Sequence, residues 1–502
     1  MQEGGRTRTS HTEFLVLAID IGSSSTRTAL FDHQARRLAG TGASEEYSIH
    51  YGSDGAAELS PIILQRAARR CLSATLRQHA GSRDVRRKQI TTIGGSAFWH
   101  GLLGLDRNWR PLTPIFTWAD SRAADDAARL RQKLSERTVH ARTGCMLRAS
   151  FWPAKLSWLR KTQPKLFRRV SVWVSPVDWI FHDLFGTRAS SASMASATGL
   201  YNLQQRRWDE ELCKIGHLEL AQLPTVADTA ALTLRLPRSL RHARVFPAIG
   251  DGASGNLGSG ADRQGIVAIN VGTSGAVRMA QTNRQARQTK VPFGLFRYVV
   301  DAERSVIGGA VSNAGNLREW CLRDLQIGQG TRADKRVFAR ATAALDPLTV
   351  LPFWVAERAP TWPEGQFGLI DGLTQATQAS DIMRALSSSV FYRLAQILEL
   401  ITDATVPARR IIVSGGILRS IPALRLLADA LGHEVEVARE PEASLRGAAV
   451  HALRQLGVKI KPPPAGKTIA YDRSLAAKHR QRRQRQIEME RLLVQRRNWR
   501  RK

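Results

Sequence analysis

The stretch FLVLAIDIGSSSTRTALFD, residues 14–32, decides the fold of this 502-residue chain. Its first half is an apolar run whose composition indicates a buried strand, and STRTALFD resumes strand character after a Gly/Ser turn. The stretch therefore predicts a β-hairpin with a tip of small residues. Backbone N–H groups and hydroxyls exposed at such a tip can receive phosphate oxygens.

The tip of this first hairpin supplies the first candidate ligands. Gly22 allows the tight turn, and Arg27 adds a positive charge just beyond it. The carboxylate of Asp20 could position Mg²⁺ through a water molecule. An ordinary Ser/Gly turn is the structural alternative. The hydroxyls that we expect to face phosphate belong to Ser23, Ser24 and Ser25.

A second stretch, GIVAINVGTSGAVRMA (265–280), repeats this pattern far downstream. Residues 20–24 line up with residues 270–274, which suggests that one strand-rich unit was duplicated. Gly272, Thr273 and Ser274 offer the same chemistry as the first tip, and a simple turn is again the alternative. Together the two hairpins favour phosphate binding.

A third element, VSGGILRS (413–420), follows an apolar strand and precedes a helical pattern. This is where α/β folds bind nucleotides, because small residues let a ligand approach the backbone. Gly415 and Gly416 are the candidates for that approach, and Arg419 is a further candidate nucleotide ligand.

A single carboxylate stands in the small-residue run AIGDGASGNLGSG, residues 248–260. Phosphoryl transfer needs positioning, charge neutralisation and often a carboxylate that accepts the proton of the attacking hydroxyl. Asp251 lies between two glycines, so a bulky substrate can reach it. We therefore take Asp251 as the candidate general base, with a plain GDG turn as the alternative.

The remaining pattern indicates an α/β protein of two domains. Helical segments are predicted at 120–135, 153–169 and 175–186, and the second half alternates strands (411–415, 434–438) with helices (422–432, 443–457). We expect four parts in chain order: a disordered leader (1–13), an N-terminal lobe (14–247), a C-terminal lobe (248–458) and a basic tail (459–502).

The overall composition limits which binding partners and which cellular compartment we expect. Lys and Arg number 74 against 43 acidic residues, a net charge of +31, which raises the local concentration of polyanions. We find no apolar stretch of the roughly 18 residues that a membrane span needs, and no signal peptide. Four dispersed cysteines form neither a CxxC pattern nor a disulfide framework, so we expect a cytoplasmic protein.

Taken in order, these elements resemble the FGGY carbohydrate kinases over roughly residues 14–457. The resemblance implies two ribonuclease-H-like lobes of the actin/hexokinase type with a cleft between them. It also implies ATP and Mg²⁺ as cofactors, held by the two hairpins. Asp251 would act as the base on the substrate hydroxyl, and Gly415-Gly416 would lie against the adenosine.

Further segments resemble the gluconokinase branch of that family. They are TWADSRA (117–123), RTGCMLRASFWPAKLSWL (142–159), SMASATGLYNL (193–203), LPFWVAERAP (351–360) and EASLRGAA (442–449). The resemblance implies a substrate wall near residues 98–122, in which Arg can bind a sugar-acid carboxylate through its planar fork. The wall residues are Trp99, His100, Trp118, Asp120 and Arg122.

Three departures from the family pattern reshape the expected pocket. Bulky Phe98-Trp99 replaces the usual Ala-Met or Gln-Met before His100, and Ala356 stands where the family has Gly. Leu147-Arg148 replaces Ile-His and adds charge near the expected substrate mouth. Gluconate is the leading substrate, and a pentulose such as xylulose is the runner-up.

The basic tail and the rival functions complete the prediction. From Lys478 the tail could form a helix with Ile487, Leu492, Leu493 and Trp499 on a broken apolar face; a solvated, partly disordered extension is the favoured alternative. The tail could also contact nucleic acid or another polyanion non-specifically. A homodimer is included among the expected partners. The rival functions are an ATPase acting on proteins and a non-catalytic sugar- or nucleic-acid-binding protein.

Overall fold

The computed structural model describes residues 14–231, 235–328, 330–338, 347–363 and 365–500. The predicted disordered leader, residues 1–13, lies outside this part of the chain. Two sheets, one in each half, form the centre of the fold. The described strands are β1 (Leu15–Ile21), β2 (Ser25–Phe31), β3 (Ala43–Glu46), β4 (His50–Tyr51), β5 (Ala57–Leu59), β6 (Ile90–Ala97), β7 (Leu103–Leu105), β8 (Ile115–Phe116), β9 (Val172–Val174), β10 (Ala189–Ser190), β11 (Tyr201–Asn202), β12 (Arg207–Trp208), β13 (Thr225–Val226), β14 (Arg244–Val245), β15 (Ile249–Gly250), β16 (Ile266–Val271), β17 (Gly275–Thr282), β18 (Phe296–Val299), β19 (Arg304–Val311), β20 (Thr349–Leu351), β21 (Leu369–Asp371), β22 (Arg410–Ser414), β23 (Val435–Val437) and β24 (Thr468–Ile469).

Helices cover the faces of the sheets and fill the connections between strands. The described helices are α1 (Pro61–Gly81), α2 (Ala124–Lys133), α3 (Glu136–Thr143), α4 (Trp152–Thr162), α5 (Pro164–Arg169), α6 (Pro176–Phe185), α7 (Ala192–Ser196), α8 (Glu210–Ile215), α9 (Asp251–Ser259), α10 (Asn283–Gln288), α11 (Gly315–Asp324), α12 (Thr331–Val337), α13 (Ala379–Ala404), α14 (Ile421–Leu431), α15 (Ala443–Gln455) and α16 (Arg473–Arg500).

The two sheets repeat one arrangement of strands. In the first, β1 pairs antiparallel with β2 and parallel with β6; in the second, β16 pairs antiparallel with β17 and parallel with β22. The full orders are β14-β6-β1-β2-β3, with β15 also on β6, and β18-β19-β17-β16-β22-β23-β24. Both predicted hairpins are therefore confirmed, and each occupies the same place in its sheet.

Local sequence signals explain several helix ends. The predicted helix at 175–186 is α6, which begins after a capping box between Ser175 and Asp178 and ends at Gly186 in the left-handed conformation (φ 79°). The predicted helix at 153–169 is two helices, α4 and α5, because Pro164 starts a new one. The strands and helices predicted for 411–457 are β22, α14, β23 and α15.

The two halves meet where α15, which also contacts α9, packs against β1 and β6. Leu445, Ala448 and Leu453 of α15 belong to the same buried core as β1 and β6, so a helix from late in the chain completes the N-terminal half. Gly258 of α9 leaves room for the backbone of Ala443, and a side chain there would collide with it. Small residues at the helix contact therefore allow the backbones to approach closely.

The C-terminal segment corrects one sequence expectation. It is a long helix, α16, that packs on α14 and β20, and it is not a solvated extension. Its buried face also differs from the predicted apolar one, since Leu492 is exposed and Ile487 is only half-buried. The side chain of Trp499 lies outside the described part. The buried positions are Ala476, His479, Arg483, Gln486 and Glu490, spaced three and four apart.

Two observations bear on the environment of the protein. In the part of the chain that the structure describes, none of the helices combines the length and the apolar character needed to cross a bilayer. The four cysteines are all free thiols and all buried, in agreement with the prediction of no disulfide framework; they are Cys71, Cys145, Cys213 and Cys321.

Candidate active site

The first hairpin forms a tight turn held by its own backbone. The Gly22 N–H donates to the Ser25 carbonyl (2.8 Å), and the Tyr47 hydroxyl donates to the Gly22 carbonyl (2.7 Å). Ser24 is exposed and Ser23 half-buried, whereas Ser25 is buried at the start of β2. The tip therefore offers Ser23 and Ser24 directly to a ligand, and Ser25 serves the turn.

Asp20 lies near the end of β1, opposite Arg27 in the strand pair. The carboxyl is 9% exposed, and its Oδ1 has no hydrogen-bond partner among the described residues. Burial raises the pKa of Asp20 to about 6, and the negative charge of Asp251 adds to the rise. An unpartnered carboxylate oxygen beside a phosphate-binding turn suits a water ligand of a divalent cation.

The second hairpin is braced by the segment that follows β19. The Gly272 N–H donates to the Ser274 carbonyl (2.9 Å), and the Gly272 carbonyl accepts from the Gly315 N–H (2.9 Å). Thr273 is exposed at the tip. Gly415 has a φ of 96°, and a Cβ there would lie 2.5 Å from the Val271 carbonyl oxygen. Glycine is therefore required where β22 passes behind this hairpin.

A cavity of about 1060 Å³ opens beside the second hairpin. Of the predicted nucleotide ligands, Gly272, Thr273, Gly416 and Arg419 line it together, while Ser274 and Gly415 lie outside its lining. Apolar groups from α13 and α14 form one side, and several charged side chains that sequence reasoning missed form another. Those charged residues are Arg318, Glu319, Asp334, Lys335 and Arg425.

Asp251 is the first residue of α9 and directly follows β15, which pairs with the end of β6. Its Oδ1 accepts from the Gly252 N–H (2.6 Å), and the start of a helix favours a negative charge. Burial raises the pKa of Asp251, and the charges of Arg278 and Arg358 oppose the rise. The carboxyl is half-buried, so it is reachable from the cleft.

The predicted substrate wall contains a group of packed aromatic rings. Trp99 lies edge-on to Tyr298 (4.8 Å between ring centroids), and His100 contacts Tyr298 and Phe151. The His100 Nδ1–H donates to the Ala197 carbonyl (2.7 Å), and burial lowers the pKa of His100 to about 3. His100 is therefore neutral at physiological pH.

The Trp99 ring fits because the two residues beside it, Gly250 and Gly252, are glycines. A Cβ at Gly250 or Gly252 would collide with the Trp99 ring. The bulky residue that departs from the family pattern thus fills space left by the glycines around Asp251. Trp118, the other predicted wall tryptophan, is half-buried and lies under the Arg358 guanidinium (4.8 Å).

Asp120 and Arg122 bind each other. The Arg122 Nη2 donates to Asp120 Oδ2 (2.6 Å) and to Glu58 Oε1 (2.5 Å), and the guanidinium lies 4.5 Å from the Trp158 ring centroid. The charge expected near the substrate mouth is paired too, because Arg148 forms an ion pair with Glu136. Arg122 already has two carboxylate partners, so a substrate carboxylate would have to compete with them.

Sequence reasoning missed three polar groups at this site. Arg278 on β17 and Arg358 after β20 face the wall from the other half of the chain, and Lys155 of α4 lies beneath it. Lys155 Nζ donates to the carbonyls of Thr117 (2.6 Å) and His100 (3.0 Å), and burial lowers its pKa to about 7. An arginine within the apolar strand AVRMA was the available signal for Arg278.

A metal ion would need ligands from outside the protein. No cluster of three or more His, Cys, Asp or Glu that could hold a metal occurs among the described residues. Asp20 contributes one free oxygen, so phosphate oxygens and water would complete the coordination of a Mg²⁺ ion there.

Comparison with known proteins gives consistent results over most of the chain. Two family models match: the FGGY family of carbohydrate kinases, N-terminal domain, at residues 15–250, and its C-terminal domain at residues 267–456. A gluconokinase of Bacillus subtilis is 29% identical over 461 residues, 88% of each chain. A xylulose kinase of Haemophilus influenzae is 24% identical over 88% of this chain and 90% of its own length.

The fold has a close counterpart among solved structures. The crystal structure of gluconate kinase from Lactobacillus acidophilus superposes with a TM-score of 0.86 and is 23% identical. The match covers 96% of this chain and 98% of that one. The predicted architecture, two lobes of the actin/hexokinase type, is confirmed by this match and by the repeated sheets.

Proposed function

Since this chain belongs to the FGGY family of carbohydrate kinases, we propose that it transfers the γ-phosphoryl group of ATP to the terminal hydroxyl of a small sugar acid. Gluconate is the leading substrate and 6-phosphogluconate the product. The observation that carries the proposal is the position of Asp251, which interacts electrostatically with Asp20 of the first hairpin and faces the aromatic substrate wall.

Asp251 has the properties of a general base. Its pKa is raised by burial, so it accepts a proton more readily than an exposed aspartate, and it remains reachable from the cleft. The hydroxyl that loses its proton to Asp251 becomes the nucleophile that attacks the γ-phosphorus. The phosphorus–oxygen bond to the β-phosphate breaks as the new bond forms, and ADP leaves.

The nucleotide is held by the second hairpin and the cavity beside it. Gly272 and Thr273 contact phosphate, while Gly416 and Arg419 line the space for the nucleoside. The cavity is large enough for a nucleotide. Asp20 is the residue that fits a Mg²⁺ ion, through water; when bound, that ion neutralises charge on the transferring phosphoryl group.

The substrate wall positions the sugar and keeps water from the reaction. Trp99 and His100 are held rigidly by Tyr298 and by the backbone of α7 and the residue after it. Lys155 fixes the carbonyls of His100 and Thr117, so it positions both wall segments without contacting the sugar. Rigid placement of the hydroxyl against Asp251 contributes most of what this reaction requires.

A pentulose kinase is the second candidate. The xylulose kinase of Haemophilus influenzae is similar over the same share of the chain, so the same fold serves a neutral sugar. The larger identity to the gluconokinase of Bacillus subtilis supports the sugar acid.

Replacement of the base tests the proposal. In Asp251→Asn we expect kcat with gluconate to fall by about 10²–10⁴-fold, because the amide cannot accept the proton. Calorimetric titration should show ATP affinity within about threefold of wild type, since Asp251 lies outside the nucleotide cavity. Asp403→Asn, an exposed change on α13, is the control for the substitution. Near-normal turnover in Asp251→Asn would remove this residue from the role of base.

A further inference from the structure

Two arginines from the C-terminal half face aromatic rings of the N-terminal half across the cleft. The Arg278 guanidinium lies 5.9 Å from the Trp99 ring centroid, and the Arg358 guanidinium lies 4.8 Å from that of Trp118. Both rings belong to the substrate wall, and both arginines interact electrostatically with Asp251. The pair, Arg278 and Arg358, is called the arginine pair below.

The arginine pair lacks directly bonded carboxylate partners. Among the described residues neither guanidinium forms an ion pair, and the buried Nε of Arg278 has no hydrogen-bond acceptor. The Arg358 guanidinium donates to neutral oxygens, the Ser312 hydroxyl (3.0 Å) and the Val311 carbonyl (3.1 Å). A guanidinium that is partly removed from water and has no bonded anion is costly, so the site favours an anionic ligand.

The two neighbouring carboxylates do not bond to the guanidiniums. Glu357 accepts from the Ser312 N–H (2.6 Å) and from Asn313 Nδ2 (3.0 Å), so its oxygens are bound by the segment that follows β19. The charge of Glu357 acts on Arg358, and the charge of Asp251 acts on both arginines, but neither carboxylate forms an ion pair with them among the described residues. A substrate carboxylate would supply the directly bonded anion that both guanidiniums lack.

The positions of these groups fit a linear acid. Arg278 Nε lies beside Gly252, the residue after Asp251, and a Cβ at Gly252 would be 2.5 Å from it. The Arg358 guanidinium lies over the Trp118 ring of the substrate wall. A chain whose terminal hydroxyl meets Asp251 would extend along the wall and carry its other end to the arginines.

We propose that the arginine pair binds the carboxylate of the sugar acid and selects acids over neutral polyols. This inference rests on the proposed function. It moves the carboxylate-binding role from Arg122, which is already paired with Asp120 and Glu58, to Arg278 and Arg358. The planar guanidinium fork matches a carboxylate in two parallel hydrogen bonds. The same cationic chemistry would suit the γ-phosphate of ATP, and the test separates the two anions.

The test compares gluconate with glucitol, which differ only in a carboxylate against a hydroxymethyl group. At a pH above the acid limb, we expect Arg278→Met to lower the ratio of kcat/KM for gluconate to kcat/KM for glucitol by about 100-fold, mainly through KM for gluconate. Arg284→Met, an exposed change on α10, should leave both values unchanged. Calorimetric titration should show weaker gluconate binding in Arg278→Met and unchanged affinity for ATP.

Other outcomes contradict the inference in distinguishable ways. An equal loss with gluconate and glucitol, or a loss of ATP affinity, would assign Arg278 to the phosphoryl group. If the wild-type enzyme prefers gluconate and the Arg278→Met variant keeps the same preference, the role of the arginine pair is refuted and the proposed function stands. A wild-type enzyme that phosphorylates neutral sugars and no sugar acid would overturn the proposed substrate and this inference together. A thermal melt of each variant confirms that it is folded.

Discussion

Asp20 is a buried carboxylate, and its surroundings disfavour its ionised form. Its pKa of about 6 in the folded protein lies above the ordinary value of 3.8, so folding favours the protonated form. Its stabilising contribution is fully present below about pH 4 and is lost as the pH rises through 6. At neutral pH the ionised group therefore costs stability, which is what we expect of a residue kept for ligand binding.

This cost predicts opposite effects of Asp20→Asn on stability and activity. At pH 7.5, without nucleotide and Mg²⁺, the variant should melt at a higher temperature than the wild type. Its free energy of unfolding should be larger by up to about 3 kcal/mol. The gain should shrink towards pH 4, and kinase activity should be lost. Asp403→Asn is the exposed control. A variant that is less stable at every pH would show that Asp20 is a structural residue.

The charges around Asp251 predict the pH dependence of turnover. The base must be ionised, so kcat/KM should fall as the pH falls through a pKa above the ordinary aspartate value. Arg278 and Arg358 lower this pKa, and Asp20 is the nearby carboxylate. Removing the charge in Arg278→Met should therefore move the acid limb to higher pH. A pH–rate profile in which the limb stays in place would contradict the coupling of Arg278 to the base.

At the scale of elements, α16 is held by a buried polar face. Arg393 of α13 is fully buried, and its Nη1 donates to Glu490 Oε2 (3.0 Å). The Arg393 Nη2 also donates to the Ala359 carbonyl (3.0 Å), so the pair joins α16, α13 and the segment after Arg358. Gln486 donates to the carbonyls of Val350 and Ser389. Hydrogen bonds to specific partners replace the apolar face that the sequence predicted.

Removing one member of this pair should destabilise the C-terminal half. Glu490→Ala leaves Arg393 buried without its anion, and we expect a loss of about 3–5 kcal/mol in urea unfolding. Glu488→Ala is the matched control, since Glu488 is exposed and, within the described part of the chain, its side chain bonds only to Gln484 one turn earlier. Its cost should stay below about 0.5 kcal/mol. Equal small losses in the two variants would show that α16 does not depend on the buried pair.

Elements with a local signal were predictable from the sequence. The hairpins carry alternating strand patterns around glycine, and α6 carries a cap, a proline and a terminal glycine. Helix α9 was recognised in the sequence only as a run of small residues. Its glycines make room for Trp99 and for the backbone of Ala443, which are distant in the sequence, so no local signal reveals their purpose. The polar face of α16 was missed for the same reason, since its hydrogen-bond partners lie about 100 residues away.

The candidate site shows the same division. Asp251 and the hairpin tips stand in recognisable patterns, whereas the arginine pair gains its meaning from rings contributed by the other half of the chain. From the sequence, Arg122 was predicted to be available to a substrate carboxylate, because only the fold shows that Glu58 lies beside it and pairs with it. The polyanion contact of the basic tail and the homodimer stay predictions.

At the scale of the whole molecule, the proposed reaction is divided between the two halves. The N-terminal half supplies the first hairpin and the aromatic wall, and the C-terminal half supplies the second hairpin, the nucleotide cavity and the arginine pair. Packing of α15 on β1, β6 and α9 joins the halves, and the proposed base Asp251 begins α9 at this junction. In the proposed reaction, a base at the junction acts only when the sugar is bound, which would limit hydrolysis of ATP.

The most direct test of the account is the substrate preference of the wild-type protein. ADP release with ATP and Mg²⁺ should be measured with gluconate, xylulose, ribulose, glycerol and glucitol under identical conditions. We predict the highest kcat/KM with gluconate and a phosphorylated acid as the product, identified by mass spectrometry. Turnover of a neutral sugar with no turnover of gluconate would contradict the central claim.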